Sequence, residues 1–526
     1  MTGSPVSWVL ARGLRRVAFA LLATSLVTGC SVVRPNVPQM PSQAFEQPET
    51  TSLARNFAAR LVDAPGLSGF RLLPAGEEAF IVRASTAEAA QKTLDLQYFI
   101  VADDATATLL LYRALRAAER GVRVRILVDD VGTHDRDDLL VTLDAHPNIE
   151  VRAYNPFSTR SFWWLARTFE YLGDSKRLNQ RMHNKLWIAD NAVAVMGGRN
   201  LGDAYFATNR ESDFADLDVF VAGPLVREVS RSFDTYWNSP AAIQIKRFST
   251  TPPGPEQLPA IQAQLKTRAE IFRDSDYAKA LRATDLGRTL RSGQLELVAA
   301  PAEIVHDQPD KAVPQGAEQP IVSALRATMS TAKRELLIVS PYFIPSERGV
   351  AGLCALVGKG VQVRILTNSL ASTDVPVVHA GYARYRPRLV ACGIELYELK
   401  PGAKTVKRGL SSGASLHAKA VIVDRSALII GSMNLDPRSR QLNTEVAIRI
   451  DSPVLGAQLG ALFDEAVAPD QAYHVSLTEP GNAAAALLWQ GEENGQAVQY
   501  DTEPLASAWR HFISNLLGAL APEELL

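Results

Sequence analysis

Two stretches of this 526-residue chain place chemically capable side chains at the same intervals. The first runs His183-Asn184-Lys185, then Asp190, then Gly197-Gly198-Arg199-Asn200. The second runs His417-Ala418-Lys419, then Asp424, then Gly431-Ser432-Met433-Asn434. In both, lysine follows histidine by two positions, aspartate follows lysine by five, glycine follows aspartate by seven and asparagine follows glycine by three. A lone His-x-Lys on a strand is ordinarily structural. One full match would arise by chance in roughly one chain in 10,000 of this length, so two copies point to function. Imidazole, ammonium and carboxamide groups gathered twice make a site for a tetrahedral anion, and the chemistry they suit is phosphodiester transfer. One neutral histidine attacks phosphorus, and the other donates a proton to the leaving alkoxide. Lys185, Lys419, Asn200 and Asn434 would stabilise the non-bridging oxygens.

The spacing also says what must position these groups. Alternate residues of a strand share a face, so His183 and Lys185 point one way, as do His417 and Lys419. A hairpin at Asp190-Asn191, or at Asp424-Arg425-Ser426, returns the chain to Gly197 or Gly431, where the backbone can approach closely. Ser432 follows in the second copy. Asp190 and Asp424 are read as stabilising turns rather than touching substrate. Each histidine also needs an orienting acid to fix its tautomer, and candidates stand on the next strand of each repeat: Asp218 and Glu445. The other histidines (His134, His146, His306, His379, His474 and His511) lack such pairing and default to structural or surface roles. The reaction needs no cofactor, and no metal ligand set is evident.

The motifs sit at the ends of a longer repeat. Leu96-Gln97-Tyr98-Phe99-Ile100, an amphipathic helix over 105–120 and Gly121-Val122-Arg123-Val124-Arg125-Ile126-Leu127 are matched by Ser340-Pro341-Tyr342-Phe343-Ile344, a second helical stretch and Gly360-Val361-Gln362-Val363-Arg364-Ile365-Leu366. Ile149-Glu150-Val151 is matched by Ile394-Glu395-Leu396. The alternation indicates two similar α/β lobes with mixed, largely parallel sheets flanked by helices. The expected division is a signal segment over 1–30, a Pro-rich tether over 31–70, a first lobe over 71–239, a connector over 240–319, a second lobe over 320–470 and a tail over 471–526. The tail's last segment puts Trp509, Phe512, Ile513, Leu516, Leu517 and Leu520 on one helical face, to dock on the body or lie on a membrane.

The N-terminus carries a basic region (Arg12, Arg15, Arg16), a short apolar run from Val17 to Val27, and Val27-Thr28-Gly29-Cys30. This reads as a secretory signal too short to span a bilayer, ending in a lipobox-like cysteine. Cys30 would be lipidated, and Ser31 after it implies sorting to the bacterial outer membrane, facing the periplasm. Cys354 and Cys392 show no ligand spacing and are expected to be buried, inert thiols. A net charge of -1 speaks against a protein that coats nucleic acid.

The paired motifs resemble the HKD signature of the phospholipase D superfamily at every defining position. Asn179-Gln180-Arg181-Met182-His183-Asn184-Lys185, the stretch from Gly197 to Phe206 and Asp374-Val375-Pro376-Val377-Val378-His379-Ala380-Gly381-Tyr382 are similar to its bacterial cardiolipin synthase C-like branch. The resemblance covers about Arg71 to Arg510. It implies two lobes about a pseudo-twofold axis, phospholipid substrates met at a membrane surface, and transfer of a phosphatidyl group between phospholipids. It also implies His183 as nucleophile and His417 as acid and base. Hydrolysis to phosphatidic acid is the alternative, and a nuclease activity a more distant one. No nucleic acid is expected, and a protein partner is left open. Phe162-Trp163-Trp164-Leu165 could sit at the headgroup level or in a buried helix. His379, Tyr382, Tyr385 and Arg386 could line the substrate mouth or cap the second lobe.

Overall fold

The computed structural model describes residues 39–133, 137–157, 168, 170, 171, 173–208, 214–247, 255–282, 286–311, 318–402 and 415–520. Cys30, His134 and the Phe162-Trp163-Trp164-Leu165 stretch lie outside them.

Apolar, β-branched runs form the strands. In the first lobe these are β1 (Ser68–Leu73), β2 (Thr93–Tyr98), β3 (Arg123–Asp129), β4 (Ile149–Tyr154), β5 (Leu186–Ala189), β6 (Val193–Gly197), β7 (Phe214–Ala215) and β8 (Asp218–Ala222). The stretch between the lobes adds β9 (Ala242–Gln244), β10 (Val298–Ala300) and β11 (Ala302–His306). The second lobe supplies β12 (Glu335–Val339), β13 (Gln362–Asn368), β14 (Glu395–Leu399), β15 (Ser415–Leu416), β16 (Ala420–Val423), β17 (Ala427–Gly431) and β18 (Val446–Asp451). The C-terminal region adds β19 (Ala472–Leu477), β20 (Leu487–Glu493) and β21 (Gln496–Tyr500).

Two sheets result, ordered β10-β1-β8-β6-β5-β2-β3-β4-β9 and β11-β18-β17-β16-β12-β13-β14-β19-β20-β21. Their centres correspond strand for strand, as a duplicated unit requires. Both sheets are mixed. Within these two sheets parallel pairing is confined to β2-β3-β4 and β12-β13-β14, joined by helical crossovers. The motif strands join antiparallel, so the parallel share is smaller than the repeat of strands and helices suggested. The connector and tail also hold more structure than expected, since β9, β10 and β11 are edge strands and β19 to β21 extend the second sheet beyond β14. Part of the expected tether packs down as well. Leu53 and Phe57 of the Ser52–Ala58 helix are buried, and Phe57 meets Phe220 at 5.3 Å.

The duplicated Gly-Val pairs explain where the crossover helices stop. Gly121 (φ 90°) and Gly360 (φ 85°) take the left-handed conformation that ends a helix. Gly121 N–H donates to Ala118 and Val122 N–H to Ala117; Gly360 N–H donates to Val357 and Val361 N–H to Leu356. Each glycine thus turns the chain straight into β3 or β13.

Apolar side chains of both lobes share one cluster, including Met182, Met196 and Val219 from the first and Leu416, Ile430 and Val446 from the second. Burial of this seam fixes the lobes face to face. β7 and β15 then pair across it as a short parallel ladder.

Cys354 and Cys392 are not free thiols. They form a disulfide with their Cα atoms 5.6 Å apart. Cys354 lies in the Ser346–Val357 helix and Cys392 caps the Arg386–Ala391 helix, and the packing of these helices, not sequence spacing, brings them together. A disulfide suits an oxidising compartment. Among the described residues no helix is long and apolar enough to cross a membrane.

Candidate active site

Each histidine stands just before a hairpin whose turn residues both have positive φ: Asp190 (56°) with Asn191 (52°), and Asp424 (52°) with Arg425 (52°). Such a turn matches the twist of the flanking strands. The two aspartates do more than form the turn. Asp190 accepts from the amides of Gln91, Lys92 and Thr93, which open β2. Asp424 accepts in the same way from Lys333, Arg334 and Glu335, which open β12. Each therefore locks its hairpin to the central strand, away from the histidines.

The half-sites are crossed between lobes. His183 N–H donates to Thr444 O at 2.9 Å, and Thr444 N–H donates to Arg181 O at 2.8 Å. This bridge sets Glu445 of the second lobe beside His183, with Nδ1 2.9 Å from Oε2. In the mirror arrangement, the β7–β15 ladder brings Asp216 of the first lobe to His417, with Nδ1 2.6 Å from Oδ2. In each imidazole Nδ1 is committed to a carboxylate of the opposite lobe, leaving Nε2 for chemistry.

Asp216, not Asp218, fills the place expected for the second acid. Asp218 instead holds Arg83 at 2.8 Å and Arg199 at 3.5 Å, a buried ion cluster. Strand register gives the reason. Gly197 faces Asp218 while Gly431 faces Ala447. Counting back two residues makes Asp216 the equivalent of Glu445. Each acid lies over the residue after its own lobe's motif glycine. A Cβ on Gly198 would fall 2.0 Å from Asp216 Oδ1, so only glycine leaves room there. In the second lobe that residue is Ser432, whose hydroxyl donates to Glu445. Arg199, also missed by sequence reasoning, braces this segment by donating to the carbonyls of Asp216 (2.6 Å) and Leu73 (2.8 Å).

Lys185 and Lys419 each donate to the carbonyl of their own motif histidine, which uses one of three ammonium protons. Asn200 is partly engaged: its oxygen accepts from Ile100 N–H and its amide donates to the Tyr205 hydroxyl. Asn434 is buried, with its side-chain oxygen unpaired. Aromatic rings wall the imidazoles. Phe99 meets His183 at 5.2 Å, and Tyr205 and Phe214 meet His417 at 5.3 and 5.2 Å. The cluster His379, Tyr382 and Arg386 is structural, tied to Glu398 of the second lobe and Glu503 of the C-terminal region.

The electrostatics join the halves into one centre. Burial, with help from Lys185 and Lys419, lowers His183 to about 4 against the pull of Glu445. Burial and Lys419 lower Lys185 to about 7, while Glu445 and Asp216 oppose. Burial lowers Lys419 to about 8, opposed by Asp216 and Glu445. Burial and Lys419 also hold His417 below its usual value, against Asp216. Burial alone would raise the two carboxyls, but His417 and Lys419 for Asp216, and His183 and Lys185 for Glu445, outweigh it and keep both ionised. A pH profile follows. In the free enzyme kcat/KM should rise as His183 loses its proton near pH 4 and fall as the lysines discharge between about pH 7 and 8. Steady-state rates on a water-soluble phosphodiester from pH 3.5 to 10 check this, and a profile still rising at pH 9 would contradict it.

Two histidines on duplicated hairpins, each oriented by the partner lobe's carboxylate, define a phosphodiester-transferring centre of the phospholipase D class. A family model described as "Cardiolipin synthase, PLD-like domain" matches residues 84–237 and 325–467. Cardiolipin synthase C of Escherichia coli (strain K12) is 39% identical over 469 residues, 88% of this chain and 97% of that protein. An uncharacterized protein of Helicobacter pylori (strain ATCC 700392 / 26695) is 30% identical over 97% of this chain and all of its own length. The crystal structure of phosphatidylserine synthase from Haemophilus influenzae Rd KW20 superposes with a TM-score of 0.56 over 90% of this chain and 100% of that one, at 13% identity, a likeness of fold. The chain belongs to the phospholipase D-like cardiolipin synthase family.

Proposed function

We propose that this enzyme transfers a phosphatidyl group from one phospholipid to the hydroxyl of another, through a phosphohistidine. The observation that carries the reading is the crossed pair, His183 with Glu445 and His417 with Asp216, in a chain that matches a cardiolipin synthase nearly end to end. His183, neutral because burial lowers it to about 4, attacks phosphorus through Nε2 and forms the N–P bond. The P–O bond to the first headgroup breaks, and His417 gives that alkoxide its proton. Burial and Lys419 hold His417 below its usual value, so the anionic diester must first draw a proton onto it. His417 then takes the proton of the incoming hydroxyl, whose oxygen attacks phosphorus and frees His183. Lys185, Lys419 and Asn434 stabilise the non-bridging oxygens, and Asn200 adds its remaining N–H. Gly197 and Gly431, with Ser432 and the locked turns at Asp190 and Asp424, hold the frame.

The sequence around Cys30 supports a lipid anchor, and with the disulfide it supports a place in the bacterial envelope, on the periplasmic side of the outer membrane. The test is incubation of the purified full chain with vesicles of phosphatidylglycerol and phosphatidylethanolamine, followed by mass spectrometry. Cardiolipin formed at the expense of phosphatidylglycerol supports transfer. Phosphatidic acid as the dominant product reassigns the enzyme to hydrolysis, and cleavage of DNA with no lipid turnover rejects the lipid substrate.

A further inference from the structure

The C-terminal helix, Ala508–Leu520, presents Trp509, Phe512 and Leu516 outward. Trp509, Phe512 and Leu516 are 66%, 54% and 43% exposed, and Leu505 just before the helix is 59% exposed. Positions 509, 512 and 516 fall on one helical stripe, and the Trp509 and Phe512 rings stack on each other at 5.6 Å in the open. The other large exposed apolar side chains among the described residues (Met40, Val62, Val131, Tyr171, Ile271 and Val454) are spread along the chain. A contiguous patch of this kind marks a surface meant to be covered.

Its place in the fold says by what. The opposite face of the helix is bolted down: Ser514 is buried, and Arg510 donates to the carbonyls of Leu370 and Thr373 at 2.8 and 2.7 Å. The next residue, Asp374, is exposed and accepts from the Tyr342 hydroxyl at 2.8 Å. Asn368, from which this loop leaves β13, donates to the carbonyl of Leu416 and accepts from its N–H, both at 2.9 Å, one residue before His417, so the loop forms a rim of the catalytic centre. Whatever covers the stripe lies against that rim. A protein seated there would crowd the mouth, whereas a bilayer seated there would present substrate to it. No carboxylate stands anywhere between residues 506 and 521 to repel anionic headgroups. Tryptophan beside phenylalanine and leucine is the composition of a helix lying in the membrane interface.

We propose that Leu505, Trp509, Phe512 and Leu516 form the seat by which the catalytic mouth meets the surface of a phospholipid bilayer. This rests on the lipid-transfer reading, and the experiment separates the two. In the full chain, Trp509→Gln, Phe512→Gln and Leu516→Gln are combined, glutamine being a good helix former. Turnover is measured on phosphatidylglycerol vesicles and on bis(p-nitrophenyl) phosphate, a water-soluble diester. The expected result is a loss of at least ~10-fold on vesicles, through a raised apparent KM, with the soluble diester hydrolysed as by wild type. In parallel, an environment-sensitive fluorophore is attached through Phe512→Cys, and through Ile271→Cys as a distant exposed control. Only the label at 512 should shift to the blue on adding vesicles. Wild-type vesicle turnover by the triple variant, or a label at 512 that stays in water, overturns the proposal. So does a dimer in solution that the triple variant dissolves, because a second copy would then own the patch. Loss of activity on both substrates assigns the stripe to folding and overturns it too. A wild-type enzyme that hydrolyses the soluble diester but turns over no vesicle lipid defeats the lipid-transfer reading, while the label at 512 still reports on the seat.

Discussion

Replacing either motif histidine by alanine is expected to lower phosphatidyl transfer by at least ~10⁴-fold, and replacing both should cost little more than replacing one. The reason is geometric. With His183→Ala the attacking nitrogen is gone, and the other imidazole of the centre, His417, is held by Asp216 for the acid–base role. With His417→Ala the nucleophile remains, but the leaving alkoxide must depart without a proton and the incoming hydroxyl must attack without a base. Groups that act in series on one reaction coordinate do not add. The check is a comparison of kcat for the two single variants and the double variant on vesicle substrate, with folding followed by circular dichroism. Single variants that each keep about half of the wild-type kcat would mean two independent sites, which the crossed hydrogen bonds exclude.

The second large effect concerns the exchanged acids. Asp216→Asn should lower kcat by ~10²- to 10⁴-fold while the protein stays folded, because an amide can bond Nδ1 yet favours the wrong tautomer and cannot stabilise an imidazolium. Glu445→Gln should do the same through His183. Asp218→Asn, two residues away, should behave differently. It strips a buried partner from Arg83 and weakens the hold on Arg199, costing about 3–5 kcal/mol of stability. Its surviving folded enzyme should keep most of its kcat. Urea unfolding set beside kcat for Asp216→Asn and Asp218→Asn separates the roles. An Asp218→Asn enzyme that is stable and dead, with Asp216→Asn active, would reverse the assignment.

The contrast between those two aspartates also shows where sequence reasoning stops. The histidines, lysines and glycines were legible because a duplicated interval is a local property of the chain, and strand alternation turns it into a shared face. Gly121-Val122 and Gly360-Val361 were legible as a repeat, but that they end the crossover helices shows only in the backbone conformation. The choice of Asp216 over Asp218 was not, because it depends on which residue of β8 opposes Gly197, a register set by pairing with a separate strand. The position of Gly198 against Ser432 was the available signal: a residue without a side chain in one copy, and a hydroxyl in the other, marks where a carboxylate lies. The exchange of acids between lobes follows from the apolar seam around Met182, Leu416 and Val446 and could not be read from intervals within one repeat. The Cys354–Cys392 bond was hidden likewise, since only the packing of two helices brings the sulfurs together. The edge strands of the connector and tail are short or weakly alternating, as Ala242–Gln244 and Gln496–Tyr500 show, and borrow their conformation from the sheets they join.

The account rests on His183 carrying the phosphatidyl group while His417, oriented from the other lobe, releases it. The most direct measurement is rapid quenching of the enzyme in alkaline denaturant, in which a phosphohistidine survives, during turnover of phosphatidylglycerol vesicles, then peptide mass spectrometry at alkaline pH on wild type and on the His417→Ala and His183→Ala variants. A phosphatidyl adduct on the peptide containing His183, persisting in His417→Ala and missing in His183→Ala, is the predicted result. An adduct on His417 instead would exchange the two roles, and product formed with no adduct on either histidine would contradict the mechanism.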